Sequence, residues 1–158
     1  MNQLLPPNMS IRRALAADAP RIRGLTRSAY AKWIVAIGRE PLPMAADYDR
    51  AVREHIVDLL FVGAELAGLV EMVDGGDHLL IENVAIAPSF QRQGYGGLLV
   101  TQAERVAHSL RLPELRLYTN ARFAGNVEFY RRHGYAVNRE EPFKGGITVF
   151  MSKKVDAA

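Results

Sequence analysis

Between an apolar run that ends at Ala87 and a run of helical periodicity that includes Leu99, the chain reads Gln91-Arg92-Gln93-Gly94-Tyr95-Gly96-Gly97. A polar, glycine-rich turn at a strand-to-helix junction is chemically suited to anions. The first amides of a helix have no intrahelical partner and lie at the positive end of its dipole, so they bind and stabilise negative charge together. Glycine lets that backbone approach a ligand without a Cβ in the way, and Arg92 adds a charge-assisted contact. Just upstream, Leu79 to Ala87 is apolar except for Glu82 and Asn83. An unpaired buried carboxylate costs several kcal/mol, so Glu82 is expected to border water or a site. Asn83, on the opposite face unless a bulge intervenes, is the second candidate there, to orient a water or a substrate.

The elements that must position these groups can be read from pattern. Ile11 to Leu15 reads as a strand, and Asp18 as an N-cap with Pro20 just inside a helix from Ala19 to about Val35. Ile22, Leu25, Ala29 and Trp33 form its core stripe. Gly38 to Met44 is a proline-broken loop, with Tyr30 and Trp33 placed to line a substrate pocket beside it. A second helix is expected from Asp47 to about Val57, then strands over Leu60 to Ala64 and Ala67 to Val73 about a Glu65-Leu66 turn. His78 to Ala87 reads as a central strand covered on both faces. After the glycine turn come a helix to about Arg111, carrying Leu99, Ala103, Val106 and Leu110 on one face, and a strand from Leu115 to Thr119. That order implies a right-handed crossover with parallel neighbours. A short helix from Asn126 to His133, capped by Gly134, precedes a closing antiparallel pair, Tyr135 to Arg139 with Ile147 to Lys153.

Composition narrows the function classes. The 158 residues suffice for one domain with a substantial core, and 49% hydrophobic with 23% charged residues is ordinary for a soluble globular chain. There is no cysteine, which excludes disulfides, cysteine-held zinc and a thiol nucleophile. Net charge is only +3, without a lysine run or interleaved aromatics, so no nucleic-acid partner is expected. His55, His78, His108 and His133 lack metal-ligand spacing, and no metal is expected. The first ten residues carry neither a basic leader nor an apolar segment, so no membrane partner is expected and a cytoplasmic location is the default.

The glycine loop lacks the Gly-Lys-Ser/Thr of a nucleoside-triphosphate loop, and Leu99 stands where a dinucleotide fingerprint needs a third glycine. What remains is Q-x-x-G-x-G, carried by Gln91, Gly94 and Gly96. Here the chain resembles the GCN5-related N-acetyltransferase (GNAT) family, and the element order follows that family from Ile11 to Lys154. Asn126-Val127-Glu128-Phe129-Tyr130-Arg131-Arg132-His133-Gly134-Tyr135 resembles its late helix. The resemblance implies an α/β (α+β mixed) fold. It would comprise a central mixed, mostly antiparallel sheet with a parallel central strand pair, flanked by about four helices, in one domain over residues 1–158 with 1–9 as a loose leader.

The same resemblance implies acetyl-CoA as acyl donor. The amides of Gln91, Arg92, Gln93, Gly94, Tyr95, Gly96 and Gly97 would hold its pyrophosphate, and the backbone of Val84, Ala85 and Ile86 its pantetheine arm. Asn126 would lie near the cofactor, although a common family form has that asparagine three positions earlier, where this chain has Phe123. Tyr130 would protonate the departing thiolate, and Glu82, on the cofactor strand where the family often has an acid, would be the general base. The expected activity is N-acetylation of a primary amine on a small molecule or peptide. The alternative is a non-catalytic acyl-CoA-binding sensor or regulatory module. A homodimer is compatible with the family, and neither motif names the acceptor.

Overall fold

The computed structural model describes residues 5–155. The chain forms β1 (Met9–Arg13), α1 (Ala19–Tyr30), α2 (Trp33–Ile37), α3 (Tyr48–Glu54), β2 (Ile56–Val62), β3 (Glu65–Asp74) and β4 (Leu79–Ile86). It continues through α4 (Tyr95–Ser109), β5 (Glu114–Asn120), α5 (Ala124–Arg132), β6 (Ala136–Phe143) and β7 (Gly146–Lys154). The strands build one sheet in the order β1-β2-β3-β4-β5-β7-β6. Every neighbouring pair is antiparallel except β4 with β5, the pair joined by the α4 crossover. This is the mixed, mostly antiparallel sheet with a parallel central pair expected above.

Each face of the sheet has its own core. α4 presses Leu99, Val100, Ala103, Val106 and Ala107 onto one face, against Val70, Met72, Leu79, Ile81, Leu115 and Leu117. α1 and α3 press Ile22, Leu25, Ala29, Tyr48 and Ala51 onto the other, against Val57, Leu59, Phe61, Leu69 and Ala85. Those side chains are removed from water on both sides, the Val, Leu, Ile and Phe among them each worth about 1.5–3 kcal/mol when fully buried. Among the described residues no helix is long and apolar enough to cross a membrane.

Several expected boundaries move. The first helix ends at Tyr30 and restarts as the short α2, so Trp33 does not continue the α1 stripe. The second helix ends at Glu54, because Val57, Leu59 and Phe61 alternate with Leu60 across two different cores, which is a strand's period of two. Its hairpin turns at Gly63-Ala64, with Gly63 at φ 60°, rather than at Glu65-Leu66. β6 runs to Phe143 and includes Pro142, tolerated because β6 is an edge strand. Leu110, expected on the core stripe of α4, lies at its C-cap and is 41% exposed. Of the expected leader, residues 1–4 lie outside the described residues, while Met9 already pairs with Val62 in β1.

Two features of β4 matter for the site. Glu71 on β3 pairs with Asn83, and Met72 with Ile81, so Glu82 is the extra residue of a β-bulge. On the other side, pairing with β5 covers only Leu79, Leu80 and Ile81. Beyond Ile81 the β5-facing edge of β4 is therefore unzipped.

Asp18 anchors the helix that closes this region. It occupies the N-cap position of α1, but its carboxylate accepts from the Leu15 amide at 2.8 Å and from Arg12 at 2.8 and 3.0 Å, rather than from α1 amides. The Arg12 guanidinium holds the Asp18 carboxyl at about 2, below its ordinary value. A depressed carboxylate stabilises the fold above the unfolded-state pKa and loses that contribution as pH falls through the folded one. Asp18→Asn should therefore cost about 1–2 kcal/mol at neutral pH. The gap to wild type should close between about pH 4 and pH 2, read from urea titrations across that range.

Candidate active site

Two cavities meet at the unzipped edge. A groove of about 510 Å³ runs over the start of α4, and a larger cavity of about 910 Å³ lies between the sheet, the Gly38 to Ala46 segment and the β6–β7 hairpin. They share Tyr30, Val84, Ile86, Gly96, Asn126 and Phe129.

The groove is built for negative charge. Tyr95, Gly96 and Gly97 are the first residues of α4, so their amides lack intrahelical acceptors. Gly94 reaches the helix at φ 86°, and Arg92 precedes it at φ 63°, left-handed conformations that fold the turn tightly under the groove. A Cβ on Gly96 would stand 3.2 Å from the Phe129 ring, and one on Gly97 3.1 Å from His133 Nε2, so α4 approaches α5 closely here. Lys32, Arg92, Arg132 and His133 supply basic groups along the walls. Gln91 ties the turn to the end of β4, since its Nε2 donates to the Ile86 carbonyl at 3.0 Å and its Oε1 accepts from Lys32 Nζ at 2.9 Å. Gln93 turns outward, donates to the Ser89 carbonyl and does not line the groove, because the left-handed turn rotates it away.

Backbone direction along β4 follows from its ladder. The Ala87 amide donates to the Ala67 carbonyl, so alternate residues Ala85 and Asn83 direct their backbone groups at β3. The N–H groups of Val84 and Ile86 then face the open slot, whereas those of Ala85, expected to join them, do not.

The bulge turns both Glu82 and Asn83 toward the larger cavity. Glu82 is half-buried, and its Oε1 accepts from the Tyr118 hydroxyl at 3.0 Å. Burial first, then the Glu82 charge and hydrogen bond, push the Tyr118 phenol up to about 12. Asn83 is buried and clamped: its Oδ1 accepts from Tyr30 at 2.7 Å, its Nδ2 donates to Tyr48 at 3.4 Å, and Tyr48 donates to the Pro43 carbonyl at 2.6 Å. Tyr30 thus reaches both the pocket and the strand, but Trp33, expected beside it, lies in the groove 4.7 Å from the Phe123 ring. The break after Tyr30 sends Trp33 that way.

Asn126 and Tyr130, one helical turn apart on α5, both face the cavity. Tyr130 packs edge-on to Phe129 and Tyr135, and its hydroxyl has no hydrogen-bond partner among the described residues. Burial raises its pKa above the ordinary phenol value, so the proton stays on the oxygen at neutral pH. Asn126 Nδ2 lies 3.5 Å from Thr119 Oγ1. Among the described residues no cluster of histidines and carboxylates is placed to hold a metal ion.

Sequence reasoning did not find Tyr48, Tyr118 or the pair formed by His55 and Glu71, whose Nδ1 and Oε2 are 2.6 Å apart. Glu71 carried a usable signal, since it is the one acid within the apolar run Leu66 to Val73.

The family model for the acetyltransferase (GNAT) family matches residues 22–135. A PaiA N-acetyltransferase from Thermoplasma acidophilum, solved with coenzyme A, superposes at a TM-score of 0.79 with 17% identity, covering 92% of this chain and 98% of that one. The ribosomal-protein-S18-alanine N-acetyltransferase of Escherichia coli gives 0.76 at 16% identity over 95% and 96%. A GNAT acetyltransferase from Elizabethkingia anophelis with acetyl-CoA bound gives 0.72 at 17% identity over 94% and 99%. No curated protein sequence matches the chain significantly.

The contact between Tyr118 and Glu82 can be read directly. In Glu82→Gln the negative charge that opposes phenolate formation is gone while burial remains, so the Tyr118 pKa should fall below about 12 but stay above the ordinary phenol value in a tyrosine-labelled NMR titration. An unmoved titration would rule the contact out.

Proposed function

The chain belongs to the acetyltransferase (GNAT) family, and we propose that it moves an acetyl group directly from acetyl-CoA to a primary amine of a small molecule or peptide. The observation that carries this reading is the junction of the two cavities at Val84 and Ile86. A basic groove with helix N-terminal amides, a strand edge whose N–H groups have no strand partner among the described residues, and a cavity with a carboxylate and a protonated phenol lie in sequence. A long donor with an anionic end and a reactive thioester fits that order.

In this reading the amides of Tyr95, Gly96 and Gly97, with Arg92, hold the pyrophosphate. The Val84 and Ile86 amides take the pantetheine arm as an added strand would be taken. The thioester then arrives beside the bulge, where a backbone N–H can meet charge developing on its carbonyl oxygen.

The acceptor poses a proton problem. An alkylamine with a pKa of about 10 is protonated at pH 7, and about three units of mismatch cost roughly 4 kcal/mol. Glu82 takes the ammonium proton, directly or through water, and the freed nitrogen forms its bond to the acetyl carbon as the carbon–sulfur bond breaks. Tyr130 donates its proton to the departing sulfur and is re-protonated by the second proton that the nitrogen sheds as it becomes an amide. A general base so placed contributes about 10²- to 10⁴-fold. Asn83, held between Tyr30 and Tyr48, positions the bulge rather than reacting.

Glu82→Gln should lower kcat by about 10²-fold, most strongly at low pH where the acceptor is fully charged, and leave acetyl-CoA affinity unchanged. Tyr130→Phe should lower kcat roughly tenfold or more, also without changing that affinity. Rates unchanged across pH in both variants would remove these two roles. Gly96→Val places methyl groups against Phe129 at the mouth of the cradle and should weaken acetyl-CoA binding by roughly 30-fold, the loss of about 2 kcal/mol of amide–phosphate bonding. Calorimetry returning wild-type affinity would sink the cradle. Tight acetyl-CoA binding with no thiol release against any amine class would favour the sensor reading instead.

A further inference from the structure

Two other buried acids show what a satisfied carboxylate looks like in this fold. Asp58 accepts from Arg13 at 2.6 Å and Gln102 at 3.0 Å, and Asp18 is held by Arg12 and the Leu15 amide. Glu71 differs. It is 4% exposed, yet its one hydrogen-bond partner is His55 Nδ1, on Oε2; Oε1 has no partner among the described residues. An ionised carboxylate presents about four lone-pair sites, and burying it with one filled is costly. Glu71 also lines the larger cavity, so the missing donors can come from a ligand.

The surroundings say what kind of ligand. Glu82 extends to Tyr118 on β5, whereas Glu71 extends to His55 at the end of α3, so the two carboxylates diverge toward different walls of one cavity. The aromatic rings of Tyr30, Phe123 and Phe129 line the same space and suit an apolar spacer. The arginines of the lining do not serve Glu71: Arg50 is paired with Glu54 at 2.6 Å, and Arg39 donates to the Glu40 carbonyl with its guanidinium 5.7 Å from the Phe143 ring. Asp47 is spent on the Arg50 amide.

We propose that Glu71, oriented by His55, is the subsite for a second positively charged group on the acceptor, so that the substrate carries two amines joined by an apolar spacer. Glu82 faces the amine that is acetylated, and Glu71 holds the other as an ammonium. This rests on the acetyl-transfer reading above and adds the acceptor class to it.

The test compares α,ω-diamines of increasing spacer length with the monoamine of each length and with γ-aminobutyrate, in wild type, Glu71→Gln and His55→Gln. The readout is the ratio of kcat/KM for diamine over monoamine, which a merely structural defect would leave unchanged. Wild type should favour the best diamine by about 30-fold or more, Glu71→Gln should bring the ratio near unity, and His55→Gln, which keeps the carboxylate, should retain most of it. Equal use of diamines and monoamines by wild type, a ratio that survives in Glu71→Gln, or a preference for γ-aminobutyrate would overturn the proposal. Calorimetric binding of the diamine in the presence of CoA repeats the comparison without turnover. Glu71-dependent binding without thiol release would uphold the subsite while overturning acetyl transfer; thiol release from monoamines with no Glu71-dependent diamine binding would do the reverse.

Discussion

One extra residue in β4 organises this molecule. The bulge at Glu82 offsets the ladder between Glu71/Asn83 and Met72/Ile81, and the parallel pairing with β5 ends at the same point. A strand in the middle of a sheet normally spends both backbone edges on neighbours. Here the carbonyls of Val84 and Ile86 accept from the side chains of Tyr30 and Gln91, while their N–H groups find no strand partner on that side, which is costly in a dry interior and tolerable only where something polar can approach. The groove and the cavity meet at that edge, so the open backbone and the candidate chemistry coincide.

The rest of the structure holds this opening in place. α4 runs from the slot across one face of the sheet and buries its apolar side there, which aims its free N-terminal amides at the groove. α1 buries its own stripe on the opposite face and delivers Tyr30 to Asn83 and to the Val84 carbonyl, the latter at 3.3 Å. Tyr48 from α3 completes the clamp. Hydrogen bonds among buried tyrosines and an asparagine strengthen in a low-dielectric setting and resist rearrangement, because each broken one leaves a desolvated group unpaired. The bulge is therefore supported by side chains from two helices as well as by its own strand.

Electrostatics divide the two compartments. Lys32, Arg92, Arg132 and the start of α4 make the groove basic, while the cavity interior holds Glu71, Glu82 and phenols kept neutral by burial. In the proposed reading an anionic donor and a cationic acceptor would be drawn to opposite ends of one passage, meeting at the strand edge.

Much of this was legible in the linear chain, for identifiable reasons. The glycine turn, the α4 stripe and the β4 run are local patterns, in which spacing alone dictates helix, strand and turn, and the anion cradle follows because its donors are consecutive backbone amides. Glu82 was legible as an acid stranded in an apolar run, and Tyr130 through its late-helix motif. Glu71 carried the same stranded-acid signal as Glu82. What gives it a distinct meaning is His55, brought within hydrogen-bond reach only by the β2–β3 pairing and the end of α3. The bulge, the early end of β4–β5 pairing, the diversion of Trp33 to the groove and the Asn83 clamp depend on register and on packing between elements far apart in sequence. Sequence by itself determined most of the elements and the glycine turn that opens α4, since those rest on neighbours along the chain. Tertiary structure decided which side chains share the larger cavity, since that depends on contacts the chain makes only once it is folded.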